Sequence, residues 1–202
     1  METIQEVVRR LELKKQQKSL PNLQPKNNAI TKAYGSREQF LVTFNPDLQR
    51  EVCGDIKLCL CGGAPPLGLL NATYGERTAT MWLVPQLYNL SEYCGCRDKL
   101  QGEPLKDCAS VIAMDFYYLT VTELMLFFHW FKSGRYGRFY GSVDPLVITT
   151  SLREFVRERN ILIDRYEQDE MHRKEEEERR KHPPITYEEH LRLKAAREKQ
   201  KQ

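Results

Sequence analysis

Apolar residues recur at helical spacing through the middle of the chain, and this pattern predicts an α-helical protein. From Leu105 to Leu119 they mark one buried face of a helix, and from Glu76 to Tyr93 they mark another around Pro85. Neither tandem repeats nor the strict alternation of a half-buried β-strand is found in the sequence. We therefore expect an all-α fold, a compact multi-helix domain with a long charged helical extension at its C-terminal end.

The segment that follows Thr120 is apolar nearly all round. Thr120 and Glu123 form a T-x-x-E capping box, which predicts a helix to about Phe131. Because that helix has no polar face, we place it at the centre of the domain. After a glycine-rich turn, Asp144 as N-cap and Pro145 at the first position predict a long helix. Its predicted inner face consists of Ile148, Leu152, Phe155, Ile163 and Tyr166.

The first third of the chain predicts shorter elements. We expect an amphipathic helix over residues 2–18, a linker over 19–32 and a helix opened by the capping box of Ser36 and Gln39. A further helix is predicted over Pro46–Cys61. The segment Leu67–Thr73, preceded by two prolines and followed by Gly75, predicts another.

Charge and composition divide the chain into three parts, namely an N-terminal helix and linker (1–33), a helical core domain (34–164) and a charged helical tail (165–202). Residues 165–181 carry six basic and seven acidic side chains, which predicts a solvated helix. A third capping box, Thr186 to Glu189, predicts a last basic helix to about Lys199.

The net charge of +3 is unevenly distributed. Residues 1–36 carry seven basic and three acidic side chains, residues 37–131 seven and eleven, and residues 132–164 six and four. This distribution permits a polyanionic partner. The charged N-terminus lacks the apolar core of a signal peptide, and the longest apolar run is interrupted by Asp115, Glu123 and His129. We expect a cytoplasmic protein with no membrane association.

The six cysteines form two C-x-C pairs (Cys59/Cys61 and Cys94/Cys96) together with Cys53 and Cys108. Structural zinc sites usually use C-x₂₋₄-C pairs, and neither pair has that spacing. We expect reduced thiols that act mainly as small apolar core residues, without a metal.

No catalytic arrangement is apparent in the sequence. Of the four histidines only His129 falls in the predicted core, and no nucleophile is accompanied by a base and an orienting group. Asp115 and Glu123 lie near the buried helices, but no pocket is implied for them. We expect no enzymatic activity and no cofactor.

The turn between the last two core helices, Lys132–Ser142, combines basic, aromatic and glycine residues. Its glycine spacing matches neither G-x-G-x-x-G nor a P-loop. Arginine and lysine side chains here can contact phosphates, and a tyrosine ring can stack on an unpaired base. The alternative is a structural connection whose aromatic rings fold back on the core. The candidate nucleic-acid-binding residues are Lys132, Arg135, Tyr136, Arg138 and Tyr140 in the turn, with Arg153 and Arg157 on the following helix.

The helix and turn from Leu119 to Pro145, followed by Leu152–Arg159, resemble an uncharacterised bacterial family of small helical proteins. The likeness covers about residues 60–160 and is carried by a K-x-G-x-Y-G-x-x-Y turn between an apolar helix and an aspartate. Proteins of this appearance occur on prophages and other mobile elements. The resemblance implies a setting in mobile-element DNA metabolism, and it supplies no site residues.

Two functional hypotheses follow from the sequence. In the first, the protein is a DNA- or RNA-associated accessory factor that binds through the 132–142 turn. In the second, it is a protein-interaction adaptor that docks on a partner through residues 165–202, and the turn is purely structural. The oligomeric state is not determined by the sequence.

Overall fold

The computed structural model describes residues 24–181, 188 and 191–192, and throughout these residues the regular secondary structure is helical. The described part confirms the all-α prediction, including the long C-terminal helix. The chain divides into two units, Met1–Phe155 and Val156–Gln202. The α-helices are α1 (Gln24–Tyr34), α2 (Arg37–Thr43), α3 (Gln49–Val52), α4 (Ile56–Cys61), α5 (Leu67–Tyr74), α6 (Thr78–Tyr93), α7 (Gly102–Asp115), α8 (Val121–Lys132) and α9 (Pro145–Lys181), and a 3₁₀ turn spans Pro46–Leu48.

Helix α8 is the central helix of the first unit, as its composition predicts. Nine of its twelve residues are buried, and α3, α4 and α6 pack against it. The predicted capping box is present. The Glu123 amide donates to Thr120 Oγ1 at 3.3 Å, and the Thr120 amide donates to Glu123 Oε2 at 2.8 Å. These bonds satisfy two amides that a helix N-terminus otherwise leaves without partners.

Helices α5, α6 and α7 complete the core around α8. The α6 helix runs through Pro85 without a break, and it packs against both α5 and α7. The start of α5 is tied to the start of α8, because the Leu67 amide donates to the Leu119 carbonyl at 2.9 Å and the Val121 amide donates to the Pro65 carbonyl at 3.1 Å. This pairing fixes where α8 begins.

Two predictions for the N-terminal part of the chain are wrong. Residues 24–32 belong to helix α1 rather than to a linker, since Pro25 lies in the first turn, where a helix tolerates proline, and Ile30 is buried. The single helix predicted over Pro46–Cys61 is divided at Cys53–Asp55. Asp55 begins a new helix by accepting a hydrogen bond from the Leu58 amide at 3.0 Å, and this local bond competes with helix continuation.

Helix α9 begins as predicted, because the Leu146 amide donates to Asp144 Oδ1 at 2.8 Å. Within the first unit its residues Ile148, Leu152 and Phe155 are buried. Within the second unit Ile163 and Tyr166 are only half-buried.

The second unit contains the charged part of the chain. From Arg165 to Lys181 the helix is exposed except at Tyr166 and Glu170. The helix predicted over 2–18 and almost all of the one predicted from Thr186 lie outside the described residues. Within the described ranges, no helix combines the length and apolar content needed to cross a membrane.

Candidate nucleic-acid interface

The turn after α8 begins with a hydrogen-bonded helix end. The Gly134 amide donates to the Phe131 carbonyl at 2.9 Å, and the Arg135 amide donates to the Trp130 carbonyl at 3.1 Å. Gly134 has φ +84°, the left-handed conformation that this Schellman motif requires. A Cβ at this position would meet no atom within 4 Å, so glycine is favoured here because of the positive φ and not because another atom packs against it.

Two aromatic residues of the turn fold back on the core. The Phe139 ring stacks on Phe131 with centroids 5.2 Å apart and planes 20° apart. The Tyr136 ring lies 5.6 Å from that of Phe127 and 6.0 Å from that of Phe131. These two rings pack as expected if the turn is a structural connection whose aromatic residues fold back on the core.

The Lys132 side chain is half-buried at the end of α8. Its ammonium donates to Gln49 Oε1 at 2.7 Å and to Asn89 Oδ1, and it lies 5.7 Å from the centroid of the Tyr93 ring. Burial lowers the pKa of this ammonium because solvent is partly excluded, and the nearby carboxylate of Asp47 offsets part of that shift. Lys132 therefore links α8 to α3 and α6, in addition to carrying charge in the turn.

The Arg135 guanidinium lies over the Trp130 ring, 4.0 Å from its centroid. This is a cation–π contact, which occupies one face of the guanidinium. Arg135 is exposed as a whole residue.

Arg138 and Tyr140 are both exposed side chains of the turn. The Tyr140 ring is 90% exposed, and Arg138 is exposed with no hydrogen bond or ion pair to any described residue. The end of the turn is held by the segment before α7, because the Asp98 amide donates to the Gly141 carbonyl at 3.1 Å and the Val143 amide donates to the Asp98 carbonyl at 3.0 Å. This pairing brings the exposed Arg97 beside the turn, a basic residue that sequence reasoning did not connect with it.

The two arginines predicted on the following helix fall in different units. Arg153 is exposed on the part of α9 that belongs to the first unit, and Arg157 is exposed on the part that belongs to the second. Residues 133–144 separate α8 from α9, a longer connection than the three or four residues of a helix-turn-helix motif.

Two cavities lie at the turn. The first, of about 330 Å³, is lined by Tyr93, Cys94, Lys132, Arg138 and Phe139, among others. The second, of about 490 Å³, shares Tyr93, Lys132 and Ser133 with the first. Lys132 thus lines both cavities.

The cysteines divide by environment. Cys53, Cys59 and Cys108 are buried, as predicted for core thiols, and burial raises the pKa of the Cys108 thiol to about 11. Cys94 and Cys96 are half-exposed. Cys61 is exposed, contrary to the prediction, because it follows the inward-facing Cys59 and Leu60 at the last position of α4. Over the described part of the chain, no group of three or more metal-ligating side chains converges.

Residues 99–202 match the family of unknown function DUF6633, and the chain belongs to that family. The matched segment contains the whole turn and α9, and it extends beyond the 60–160 region on which the resemblance rests. No curated protein and no solved structure matches the chain.

Proposed function

We propose that this protein is a non-enzymatic, nucleic-acid-associated accessory factor that contacts single-stranded DNA or RNA through the turn after α8. The observation that carries the proposal is the 90% exposure of Tyr140, two residues from the guanidinium of Arg138, which has no hydrogen bond or ion pair to the described part of the chain. Large aromatic rings in turns normally pack, as Tyr136 and Phe139 do here. Tyr140 contributes little to folding in this position and is available to a ligand.

The chemistry of the turn suits an unpaired strand. The Tyr140 ring offers a face for one unstacked base, and Arg138 offers a guanidinium for an adjacent phosphate. Base–aromatic stacking contributes roughly 1–3 kcal/mol per base and is tolerant of sequence. A duplex keeps its bases stacked, so the exposed ring favours single strands.

Further cations extend the surface on the first unit. Arg135 is exposed within the turn, Arg97 is exposed next to Asp98, which pairs with the end of the turn, and Arg153 is exposed on α9. The prophage setting that the sequence resemblance implies suits a role in mobile-element DNA replication or transcription.

The test is a salt series of binding to fluorescent single-stranded and double-stranded oligonucleotides. The informative variant is R138A/Y140A, because neither side chain has a packing role in the described residues. A matched control, R77A/Y88A, removes an exposed arginine just before α6 and an exposed tyrosine on α6. We expect the R138A/Y140A variant to lose most single-strand affinity and part of its salt dependence, and the control to bind like the unaltered protein. Absence of binding by the unaltered protein, or equal binding by all three proteins, would refute the proposal.

The second candidate function is a protein-interaction adaptor. It is favoured by the helical run Arg165–Lys181, whose mixed-charge side chains are exposed at nearly every position. Deletion of residues 165–202 should then abolish co-purification with a partner while circular dichroism shows that the remaining chain is folded. Full recovery of the partner by the truncated protein would remove the support for this candidate.

A further inference from the structure

The cavity behind the turn has an unusual charge composition. None of the residues that line the 330 Å³ cavity is acidic, and two of them, Lys132 and Arg138, are cationic. The Lys132 ammonium uses hydrogen bonds to two neutral amides, and Arg138 has no partner among the described residues. The carboxylate of Asp47 lies on the wall of the second cavity and offsets part of the Lys132 charge, but the residues that line the first cavity carry two cations and no anion. Their net positive charge suits an anionic ligand.

Aromatic side chains on the other walls of the cavity can accommodate a planar ring of a ligand. Tyr93 and Phe139 both line it, and Phe139 is held in place by its stack on Phe131. Aromatic side chains of this kind provide faces against which a planar base can lie. The cavity volume is at the lower end of the range of about 300–1,000 Å³ typical of ligand pockets, so it suits one small ligand.

From these observations we infer that the cavity between the end of α8 and the 134–139 segment binds the phosphate and base of a single nucleotide. The phosphate lies at Lys132 and Arg138, and the base lies against Tyr93 or Phe139. The nucleotide is either a free nucleoside monophosphate or one residue of a bound strand. This pocket shares Arg138 with the exposed Tyr140 surface, whereas Lys132 and Tyr93 serve the pocket alone, and its occupation by a free nucleotide does not depend on the proposed function.

Isothermal titration calorimetry of the full chain with AMP, UMP, adenosine and inorganic phosphate tests the pocket directly. We expect both monophosphates to bind, adenosine to bind at least about tenfold more weakly, and phosphate to compete. Lys132→Met should weaken AMP binding about tenfold or more, since a charge-assisted hydrogen bond is lost. Lys106→Met makes the same chemical change at an exposed position on α7, outside the cavity, and should bind AMP like the unaltered protein.

Because Lys132 also has structural partners, Arg138→Ala is the second variant, and it should weaken AMP binding without a change in thermal stability. Binding of a short single-stranded oligonucleotide tests whether the nucleotide in the pocket belongs to a strand. If only the oligonucleotide binds and Lys132→Met weakens it, the pocket takes a nucleotide of a strand. The inference is overturned if adenosine binds as tightly as AMP, or if neither AMP nor oligonucleotide binding changes in folded Lys132→Met and Arg138→Ala proteins. The two proposals can fail separately. If R138A/Y140A loses oligonucleotide binding while Lys132→Met changes the binding of neither ligand, the proposed function is supported and the nucleotide pocket is refuted.

Discussion

The Lys132 ammonium donates a hydrogen bond of 2.7 Å to Oε1 of Gln49, a residue 83 positions earlier in the chain. Gln49 is itself buried, and its amide nitrogen donates to Gln86 Oε1 at 2.6 Å. The first basic residue of the turn therefore completes a buried polar network that joins α3, α6 and α8. A lysine that sequence reasoning assigns to nucleic-acid contact also has a structural role.

Lys132→Met should lower the free energy of unfolding by about 1–3 kcal/mol, because the buried Gln49 oxygen loses its donor. Urea denaturation followed by circular dichroism measures this change. Lys106→Met, which removes an exposed ion pair with Glu103, should change stability by less than about 0.5 kcal/mol. Equal stability of the two variants would show that the Lys132–Gln49 bond contributes nothing.

The two tyrosines of the turn should differ in their effect on stability. Tyr136→Ala should cost roughly 1–3 kcal/mol, because the ring packs on Phe127 and Phe131. Tyr140→Ala should change stability by less than about 0.5 kcal/mol, because its ring is in solvent. Thermal denaturation of the pair provides the comparison. A large loss of stability in Tyr140→Ala would contradict its assignment as a binding residue.

Gly134→Ala should destabilise the protein by about 1–2 kcal/mol through backbone strain alone, because φ is +84° and a Cβ meets no neighbour. Gly134→Asn is the matched variant, and it should cost less, since asparagine tolerates the left-handed region better than alanine. Denaturant midpoints of both variants test this order. The reverse order would mean that the Schellman motif is not what terminates α8.

Stability should depend on pH through Cys108. Burial raises the pKa of its thiol from 9.0 to about 11 in the folded protein, so between these values the unfolded chain loses a proton that the folded protein keeps. Stability is therefore fully present below pH 9 and falls as the pH rises towards 11, by roughly 2–3 kcal/mol. Cys108→Ala should show a shallower decline over the same range. Parallel pH profiles for the two proteins would contradict this assignment.

The sequence predicts the helices of the core well, because their signals are local. The Thr120–Glu123 capping box, Gly75 after α5, and Asp144 before α9 each act through bonds within a few residues. The sequence does not predict the break between α3 and α4 at Cys53–Asp55. The apolar pattern continues across this break, and the Asp55 side chain that caps α4 gives only a weak local signal.

The turn was only partly predictable, since its environment depends on contacts that are distant in sequence. Periodicity does not separate Tyr136 from Tyr140, although one packs on α8 and the other is exposed. The partners of Lys132 lie on α3 and α6, and Arg97 reaches the turn through the backbone pairing of Asp98. No local signal indicates these neighbours.

The central claim is that the exposed ring of Tyr140 stacks on a base of a single strand. Fluorescence anisotropy with a labelled single-stranded oligonucleotide, comparing Tyr140→Ala, Tyr140→Trp and the unaltered protein at one salt concentration, tests it most directly. We predict that Tyr140→Ala weakens binding about five- to 150-fold, corresponding to about 1–3 kcal/mol, and that Tyr140→Trp retains it. Equal affinity of all three proteins, or no detectable binding by any of them, would contradict the claim.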